Sequence, residues 1–255
     1  MEADQTQLAT KGCQQCANNP HLDFDFTMAF QPIIDIHQQD IFGFEALVRG
    51  PSNESAASVL AKVNDENRYA FDQTCRVKAI ALAAKLNLDT MLSINFLPNA
   101  IYQPERCIRT TLAAAKEYGF PTQKIMFEFT EAEKITDGGH VKRVVEYYRE
   151  LGFITAIDDF GAGYAGLSLL ANFQTNIIKL DMDLIRHIHQ DKTRQIIVTH
   201  TLNICRELNI TCLAEGIETL DEMRWLKTAG ISLMQGYLFA KPGFECLPEV
   251  AFPLS

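Results

Sequence analysis

The sequence of 255 residues lacks any apolar run that approaches the roughly 18 residues needed to cross a membrane. Its first residues, Met1 to Asp4, lack the basic and apolar segments of a signal peptide. It also lacks an excess of positive charge, because 23 Lys and Arg stand against 32 Asp and Glu, a formal net charge of −9. These absences predict a cytoplasmic chain with no membrane partner, and they disfavour a nucleic-acid polymer as ligand.

The cysteine pattern lacks the even count of a disulfide framework. The seven cysteines are mostly dispersed, and only Cys13 and Cys16 form a local C-x-x-C pair. No second pair stands at zinc-finger spacing, so we expect reduced thiols and no structural zinc. A chain of this length buries about three-quarters of its unfolded surface and needs no covalent staples.

The order of strand and helix patterns predicts a leader followed by one domain. Residues 1–25 are polar and rich in turn formers, and residues 26–255 form the predicted domain. Two β-rich runs at its start, Phe26–Ile36 and Ile41–Val48, predict a hairpin. Further predicted strands are Met91–Leu97, Ile125–Thr130, Phe153–Ile157, Ile177–Leu180, Ile210–Ala214 and a short one near Ser232–Met234. Strands and helices that alternate over this length favour a single α/β barrel over an open sheet.

Helical periodicity fills the segments between these strands. Residues 68–88 are long enough for several turns. The clearest apolar stripe consists of Val141, Val144, Val145, Tyr148 and Leu151. Gly119 and Gly152 stand where a glycine is expected to end a helix.

Polar side chains stand at the carboxyl ends of the predicted strands, where α/β barrels assemble their active sites. The set comprises Glu45, Asn95, Glu128, Asp158, Asp159, Lys179, Glu215 and Gln235. Carboxylates that converge in one cavity repel one another unless cations hold them together. Oxygen ligands select hard divalent ions such as Mg²⁺ or Mn²⁺, and none of the six histidines falls at a strand end, which disfavours zinc.

Asp158 and Asp159 are adjacent, so in a regular strand their side chains would point to opposite faces. Both can reach one metal cluster only if the chain turns sharply after Asp158, and Gly161 and Gly163 supply the freedom for that turn. Two metals about 3.5–4 Å apart, bridged by a carboxylate, suit in-line attack of water at phosphorus. Lys179, on the next strand, would place a cation near that water or the phosphate oxygens.

The glycines after the Asp pair also fit a second interpretation. Residues 161–166 read G-x-G-x-x-G after a strand, and Asp181 follows at about the 20-residue distance typical of dinucleotide-binding folds. Asp158 and Asp159 would, however, confront the pyrophosphate with two negative charges, and the helical stretch Leu167–Asn172 is short. A nucleotide-cofactor oxidoreductase is therefore the weaker alternative.

The stretch Glu45-Ala46-Leu47-Val48-Arg49-Gly50 resembles the signature of the EAL-domain family of cyclic di-GMP phosphodiesterases. The similarity runs from about Met28 to Pro242. The further motifs that match in order are Asn95-Phe96-Leu97-Pro98, Glu128-Phe129-Thr130-Glu131, Asp158-Asp159-Phe160-Gly161-Ala162-Gly163-Tyr164, Lys179-Leu180-Asp181, Ala214-Glu215-Gly216-Ile217-Glu218 and Gln235-Gly236-Tyr237.

This resemblance implies a (β/α)8 TIM-like barrel whose first strand is antiparallel to the rest. It also implies hydrolysis of cyclic di-GMP to linear pGpG with two Mg²⁺ or Mn²⁺ ions per site. The implied metal ligands are Glu45, Asn95, Glu128, Asp158, Asp159 and Glu215. Lys179 would orient or activate the attacking water and form the catalytic set with Glu45, Glu215 and Gln235.

The resemblance also implies residues around the metals. Arg49 and Leu47 would contact the substrate, and Phe239 and Pro242 would pack against a guanine, with plain core packing as their alternative role. Glu131 and Glu218 would support the loop after the Asp pair.

None of the metal-binding or water-activating positions departs from the family pattern, which implies an active enzyme. The alternative is a chain that binds cyclic di-GMP or a protein partner without hydrolysis. Family members often dimerise through the face near the loop after Asp159, so a homodimer is expected.

Overall fold

The structure is a computed structural model that describes residues 22–101, 103–130, 138–163 and 166–253. Its strands are β1 Thr27–Asp35, β2 Asp40–Arg49, β3 Met91–Asn95, β4 Ile125–Thr130, β5 Ile154–Phe160, β6 Ile177–Leu180, β7 Thr211–Ala214, β8 Leu233–Met234 and β9 Gly243–Phe244. Its helices are α1 Ala56–Leu60, α2 Arg68–Lys85, α3 Pro104–Tyr118, α4 Gly138–Glu150, α5 Gly166–Asn172, α6 Met182–Ile185, α7 Lys192–Glu207 and α8 Leu220–Ala229. Short 3-10 turns precede α3 and β4 at Pro98–Ala100 and Thr122–Lys124.

The strands close into a barrel. From β2 to β8 each strand pairs in parallel with the next strand of the chain. β1 closes the ring because it pairs antiparallel with both β2 and β8, and β9 adds a short antiparallel pairing to β1. The predicted TIM-like barrel with an antiparallel first strand is confirmed.

Most predicted elements lie where the sequence places them. β4 and β6 have the predicted bounds, whereas β3 ends at Asn95, because the Leu97 N–H leaves the ladder for Asp72 Oδ1 and a 3-10 turn begins at Pro98. Four residues of the predicted apolar stripe lie on α4 and are buried in the core, and Leu151, the residue after the helix, packs against them partly buried. Gly119 ends α3 in the left-handed conformation (φ 67°), and Gly152 follows α4 with φ 86°.

Two apolar layers lie on opposite faces of the sheet because successive strand residues point to opposite sides. The larger layer fills the space between the strands and the helices. The smaller one lies inside the barrel and consists of Ile33, Met126, Ala156, Ile177, Leu213 and Leu233. These interior side chains fill the barrel below the strand ends, so the polar interior residues lie toward the carboxyl-terminal mouth.

Some predictions fall on residues outside the described ranges. The leader with Cys13 and Cys16 is one of them, and so is Glu131. Cys75, Cys107, Cys205, Cys212 and Cys246 are free thiols. Among the helices that the structure describes, none combines the length and the apolar character needed to cross a membrane.

Candidate metal centre

Strand alternation places the key polar side chains inside the barrel. Glu128 stands two residues after the interior Met126, and Lys179 stands two residues after the interior Ile177. Glu45 is buried on β2. These three side chains therefore extend the interior apolar layer upward as a polar layer at the mouth of the barrel.

Lys179 lies at the centre of a cluster of four carboxylates. Its Nζ is 2.7 Å from Glu128 Oε2, 2.8 Å from Glu215 Oε1, 3.0 Å from Asp158 Oδ1 and 3.3 Å from Glu45 Oε2. The Lys179 side chain is fully buried. One ammonium cannot neutralise four carboxylates, so the cluster attracts further cations.

The pKa directions reflect this imbalance. Burial raises the pKa of Glu128 to about 8, with the neighbouring charges of Glu45 and Asp158 adding to the effect. Burial likewise raises the pKa of Glu215 well above its ordinary value. Burial alone would lower the pKa of Lys179, but the surrounding carboxylates raise it well above the usual range, so the ammonium is retained.

The donor set fits divalent cations. Glu128 Oε1 and Gln235 Oε1 are buried oxygens with no hydrogen-bond partner within the described part of the chain. Carboxylate and amide oxygens are the ligands that Mg²⁺ and Mn²⁺ prefer. An orphaned buried oxygen is costly in an apolar environment, and a bound cation would satisfy it.

The carboxylates form two overlapping groups that share Asp158. Ligand oxygens of Glu45, Glu128 and Asp158 lie within 4.8 Å of one another, and the same holds for Asp158, Asp159 and Glu215. A carboxylate common to both groups is what a two-metal site requires. The predicted ligands thus converge, although their individual roles stay predictions.

Two amides orient Glu45. Asn95 Nδ2 donates to Glu45 Oε1 at 2.8 Å, and Gln235 Nε2 donates to Glu45 Oε2 at 3.0 Å. Asn95 reaches the mouth of the barrel from the end of β3, and Gln235 reaches it from the residue after β8. Both residues were predicted from their positions at strand ends.

The turn at the Asp pair differs in detail from the prediction. Asp159 itself is in the left-handed region (φ 54°), followed by Gly161 at φ 103°. Aspartate tolerates this conformation because its short carboxylate can accept local hydrogen bonds. The sharp turn is therefore made at Asp159 and Gly161, and the predicted contribution of Gly163 stays a prediction.

Helix α6 packs against both loops that carry acidic ligands. A Cβ on Gly161 would lie 2.4 Å from Leu184 Cδ1, and a Cβ on Gly216 would lie 2.3 Å from Met182 Cβ. At Gly216 a side chain would require α6 or the loop to move, whereas at Gly161 the Leu184 side chain would have to shift and the left-handed backbone (φ 103°) would be strained. This contact sets the separation of the Asp159 and Glu215 segments, and the sequence analysis did not find it.

Glu218 lies at the rim of the site. Its carboxylate pairs with Arg186 at 2.7 and 2.9 Å, and Glu218 lines the same cavity as Glu215 and Gln235. The arginine lowers the pKa of Glu218. Its predicted role in supporting the loop after the Asp pair stays a prediction.

The predicted substrate residues differ in accessibility. Arg49 and Leu47 are half-buried near the end of β2, and Arg49 Nη1 donates to the Val48 carbonyl at 2.7 Å. Phe239 is only 2% exposed and packs into the core, while Pro242 is half-buried. The structure thus shows core packing for the Phe239 ring.

Tyr237 is an exposed aromatic residue that the sequence analysis did not single out. Its side chain is 56% exposed and lines the cavity that also contains Glu45, Asp159 and Glu215. Lys241 Nζ lies 5.5 Å from the centre of the Tyr237 ring. Tyr237 belongs to the motif Gln235-Gly236-Tyr237, and this is the sequence signal that could have identified it.

The family model described as EAL domain matches residues 18–242, and the chain belongs to the EAL-domain family. A standalone EAL protein from Vibrio cholerae O395, solved in its c-di-GMP bound form, is 67% identical with a TM-score of 0.89. That comparison covers 91% of this chain and 98% of the other. The G-x-G-x-x-G stretch lies inside the family match, which leaves the oxidoreductase alternative without support.

Other relatives are longer than this chain or carry different names. Klebsiella pneumoniae BlrP1, in a complex with manganese and cyclic di-GMP, is 39% identical with a TM-score of 0.83, over 92% of this chain and 61% of BlrP1. The blue light- and temperature-regulated antirepressor BluF of Escherichia coli is 34% identical over 95% of this chain. The chain spans 60% of BluF and 39% of the cyclic di-GMP phosphodiesterase PA2567 of Pseudomonas aeruginosa, which is 29% identical.

Proposed function

We propose that this chain hydrolyses one phosphodiester of cyclic di-GMP to give linear pGpG, using two Mg²⁺ or Mn²⁺ ions. The observation that carries the proposal is the cluster of four carboxylates around the buried Lys179 ammonium, with Asp158 common to two ligand groups. The relatives named as cyclic di-GMP phosphodiesterases and the cyclic di-GMP complexes of similar structures support the choice of substrate.

In the proposed reaction a water oxygen forms a bond to phosphorus while the bond to the 3′ oxygen breaks. The water loses a proton to the site, and the leaving 3′ oxygen gains one. Bound divalent ions would lower the pKa of the water and neutralise the developing negative charge. Lys179 Nζ, fixed by carboxylates, would orient the water, while Gln235 holds Glu45 in place.

The rim residues would bind the two nucleotides. Arg49 offers a guanidinium for a phosphate at the end of β2. Tyr237 offers an exposed ring beside the acidic cluster, on which a guanine could stack. We therefore assign the guanine-stacking role to Tyr237, because Phe239 is buried in the core, and keep Pro242 as a predicted guanine contact.

The direct test is chromatography of the products of cyclic di-GMP with Mg²⁺ or Mn²⁺. Glu45→Ala and Lys179→Ala should abolish pGpG formation, whereas Glu117→Ala, an exposed acidic residue on α3, should not. Turnover at the wild-type rate in both site variants would refute the proposal.

A second function is favoured by the similarity to BluF, whose name describes an antirepressor. In that case the chain would bind cyclic di-GMP at the same site and act through a protein partner. Tight binding of cyclic di-GMP without pGpG formation at saturating Mg²⁺ and Mn²⁺ would support this function over the first.

We also propose that the chain forms a homodimer through the face that continues from the Asp-pair loop. Leu167 of α5 is 63% exposed, and Ile196 and Ile197 of α7 are 49% and 44% exposed. A contiguous patch of exposed apolar side chains marks an interaction surface, and Ile196 and Ile197 are adjacent on α7. Light scattering should give twice the chain mass, and Ile196→Glu with Ile197→Glu should give the single-chain mass.

The domain boundary at residue 26 is a further proposal, and so is the placement of the chain in the cytoplasm. Removal of residues 1–25 should leave pGpG formation unchanged if residues 26–255 form the catalytic domain. Cell fractionation would test the placement.

A further inference from the structure

We infer that the buried ion pair of Asp72 and Arg76 on α2 positions the strand ends that carry Asn95 and Glu128. The inference rests on the metal site proposed above. Asp72 is 2% exposed and Arg76 is 0% exposed, and both lie in the layer between the sheet and the helices. They would act on the metal site through their neighbours and not by direct contact.

Asp72 holds the turn that follows Asn95. Its Oδ1 accepts a hydrogen bond from the Leu97 N–H at 2.9 Å. Its Oδ2 lies 2.8 Å from Arg76 Nη2 and accepts a hydrogen bond from Gln73 Nε2 at 3.1 Å. The backbone directly after Asn95 is therefore tied to α2 by a carboxylate that is itself fixed from two sides.

Arg76 contacts three aromatic rings around this turn. Its guanidinium lies 5.6 Å from the centre of the Phe96 ring, 5.1 Å from that of Phe127 and 5.9 Å from that of Tyr148. Arg76 Nη1 also donates to the Tyr148 hydroxyl at 3.0 Å. These distances are within the range of favourable cation–π contacts.

Two of these rings adjoin predicted metal ligands. Phe96 follows Asn95 and Phe127 precedes Glu128, so strand alternation directs the rings to the helix layer and the ligands to the barrel interior. The Phe96 N–H donates to the Glu128 carbonyl at 2.8 Å, and Asn95 is paired with Glu128 in register. A shift of either ring would therefore rotate the backbone that carries both ligands.

A role in packing alone makes a different prediction. Replacement of a buried ion pair by apolar residues of similar volume is often neutral or stabilising, so a role in packing alone predicts a folded double variant with wild-type metal binding. A positioning role predicts weaker metal binding in a variant that remains folded. Partners that orient metal ligands typically change metal affinity by about 10–100-fold when they are mutated.

The experiment compares Asp72→Leu/Arg76→Met with wild type and with Lys78→Met. Lys78 is a matched control because it lies on the same helix and also pairs with an aspartate, Asp25, but in a pair that is partly exposed. Mn²⁺ affinity is measured by titration calorimetry and folding by thermal unfolding in EDTA, while kcat and KM for cyclic di-GMP are determined separately.

We expect the double variant to fold and to bind Mn²⁺ at least about tenfold more weakly than wild type. Its kcat should fall by a larger factor than its KM rises. Wild-type Mn²⁺ affinity in the folded double variant would overturn the inference. If that variant does not fold, Asp72→Asn and Tyr148→Phe replace it, and unchanged Mn²⁺ affinity in both overturns it. Wild-type protein that binds Mn²⁺ without hydrolysis refutes the proposed function alone, and wild-type protein that binds no Mn²⁺ refutes both.

Discussion

Lys179 Nζ lies 2.7 Å from Glu128 Oε2 at a point of the barrel interior where both side chains are fully buried. A buried ammonium and a buried carboxylate are stable only as partners, because each alone would lose its hydration without compensation. Three further carboxylates share the same ammonium. Lys179 thus neutralises only part of the acidic cluster, and the remaining negative charge can bind divalent ions.

Replacing Lys179 by Met should destabilise the protein in EDTA. Removal of one partner of a buried charge pair typically costs about 3–5 kcal/mol of unfolding free energy. Mn²⁺ should restore part of that loss, because it supplies positive charge to the same carboxylates. Urea unfolding with EDTA and with Mn²⁺ measures both effects.

Lys78→Met is the control for that experiment, since the Lys78–Asp25 pair is partly exposed and should contribute only about 0–1 kcal/mol. Equal unfolding free energies of Lys179→Met and wild type in EDTA would contradict the central role of the ammonium.

Substitutions of the shared and unshared carboxylates should have different effects on metal stoichiometry. Asp158 belongs to both ligand groups, whereas Glu128 and Asp159 each belong to one. Wild type should bind about two Mn²⁺ ions, Glu128→Gln and Asp159→Asn about one each, and Asp158→Asn close to none. Titration calorimetry provides the counts.

The exposed Asp183 supplies a control for this series, and Asp183→Asn should retain the wild-type stoichiometry. Two ions bound to Asp158→Asn would show that Asp158 does not bridge the sites.

Glu222→Gln should lower stability in a pH-dependent manner. Burial alone would raise the pKa of Glu222, but hydrogen bonds from the N–H groups of His187, Glu218 and Thr219 lower it below the ordinary 4.5. The stabilisation is therefore complete above the ordinary pKa and disappears as the pH falls through the lowered value. We expect a loss of about 2–3 kcal/mol at neutral pH and a smaller loss in acid.

Urea unfolding at neutral and acidic pH measures this difference, with the exposed Glu146→Gln as control. A loss of the same size at both pH values would show that the ionised carboxylate is not the stabilising form.

Tyr237→Ala should weaken substrate binding more than it slows the chemical step. Stacking of a base on an aromatic ring is worth about 1–3 kcal/mol, so KM should rise about tenfold while kcat changes little. Tyr237→Phe retains the ring and should resemble wild type. Tyr118→Ala, an exposed tyrosine at the end of α3, is the control, and unchanged KM in Tyr237→Ala would exclude the stacking role.

The sequence was sufficient for the barrel and for the convergence of the acidic residues. The position of a residue at a strand end is a local property, and it predicted that Glu45, Glu128 and Lys179 converge at the carboxyl end of the barrel. The antiparallel first strand came from the family resemblance together with the short hairpin turn.

Other features depend on tertiary packing that no local pattern shows. The left-handed conformation of Asp159 and the contact of Met182 with Gly216 arise where separate loops meet. The spacing of Asp72 and Arg76 is visible on one helix, but their burial follows from the rings of Phe96 and Phe127 on two strands. The depth of Phe239 in the core likewise depends on the full fold.

Chromatography of the products from cyclic di-GMP and Mg²⁺ or Mn²⁺, with wild type and Glu45→Ala side by side, tests the proposed function most directly. Wild type should yield linear pGpG, and Glu45→Ala or EDTA should leave cyclic di-GMP intact. Intact cyclic di-GMP after incubation of metal-loaded wild type would contradict the assignment as a phosphodiesterase.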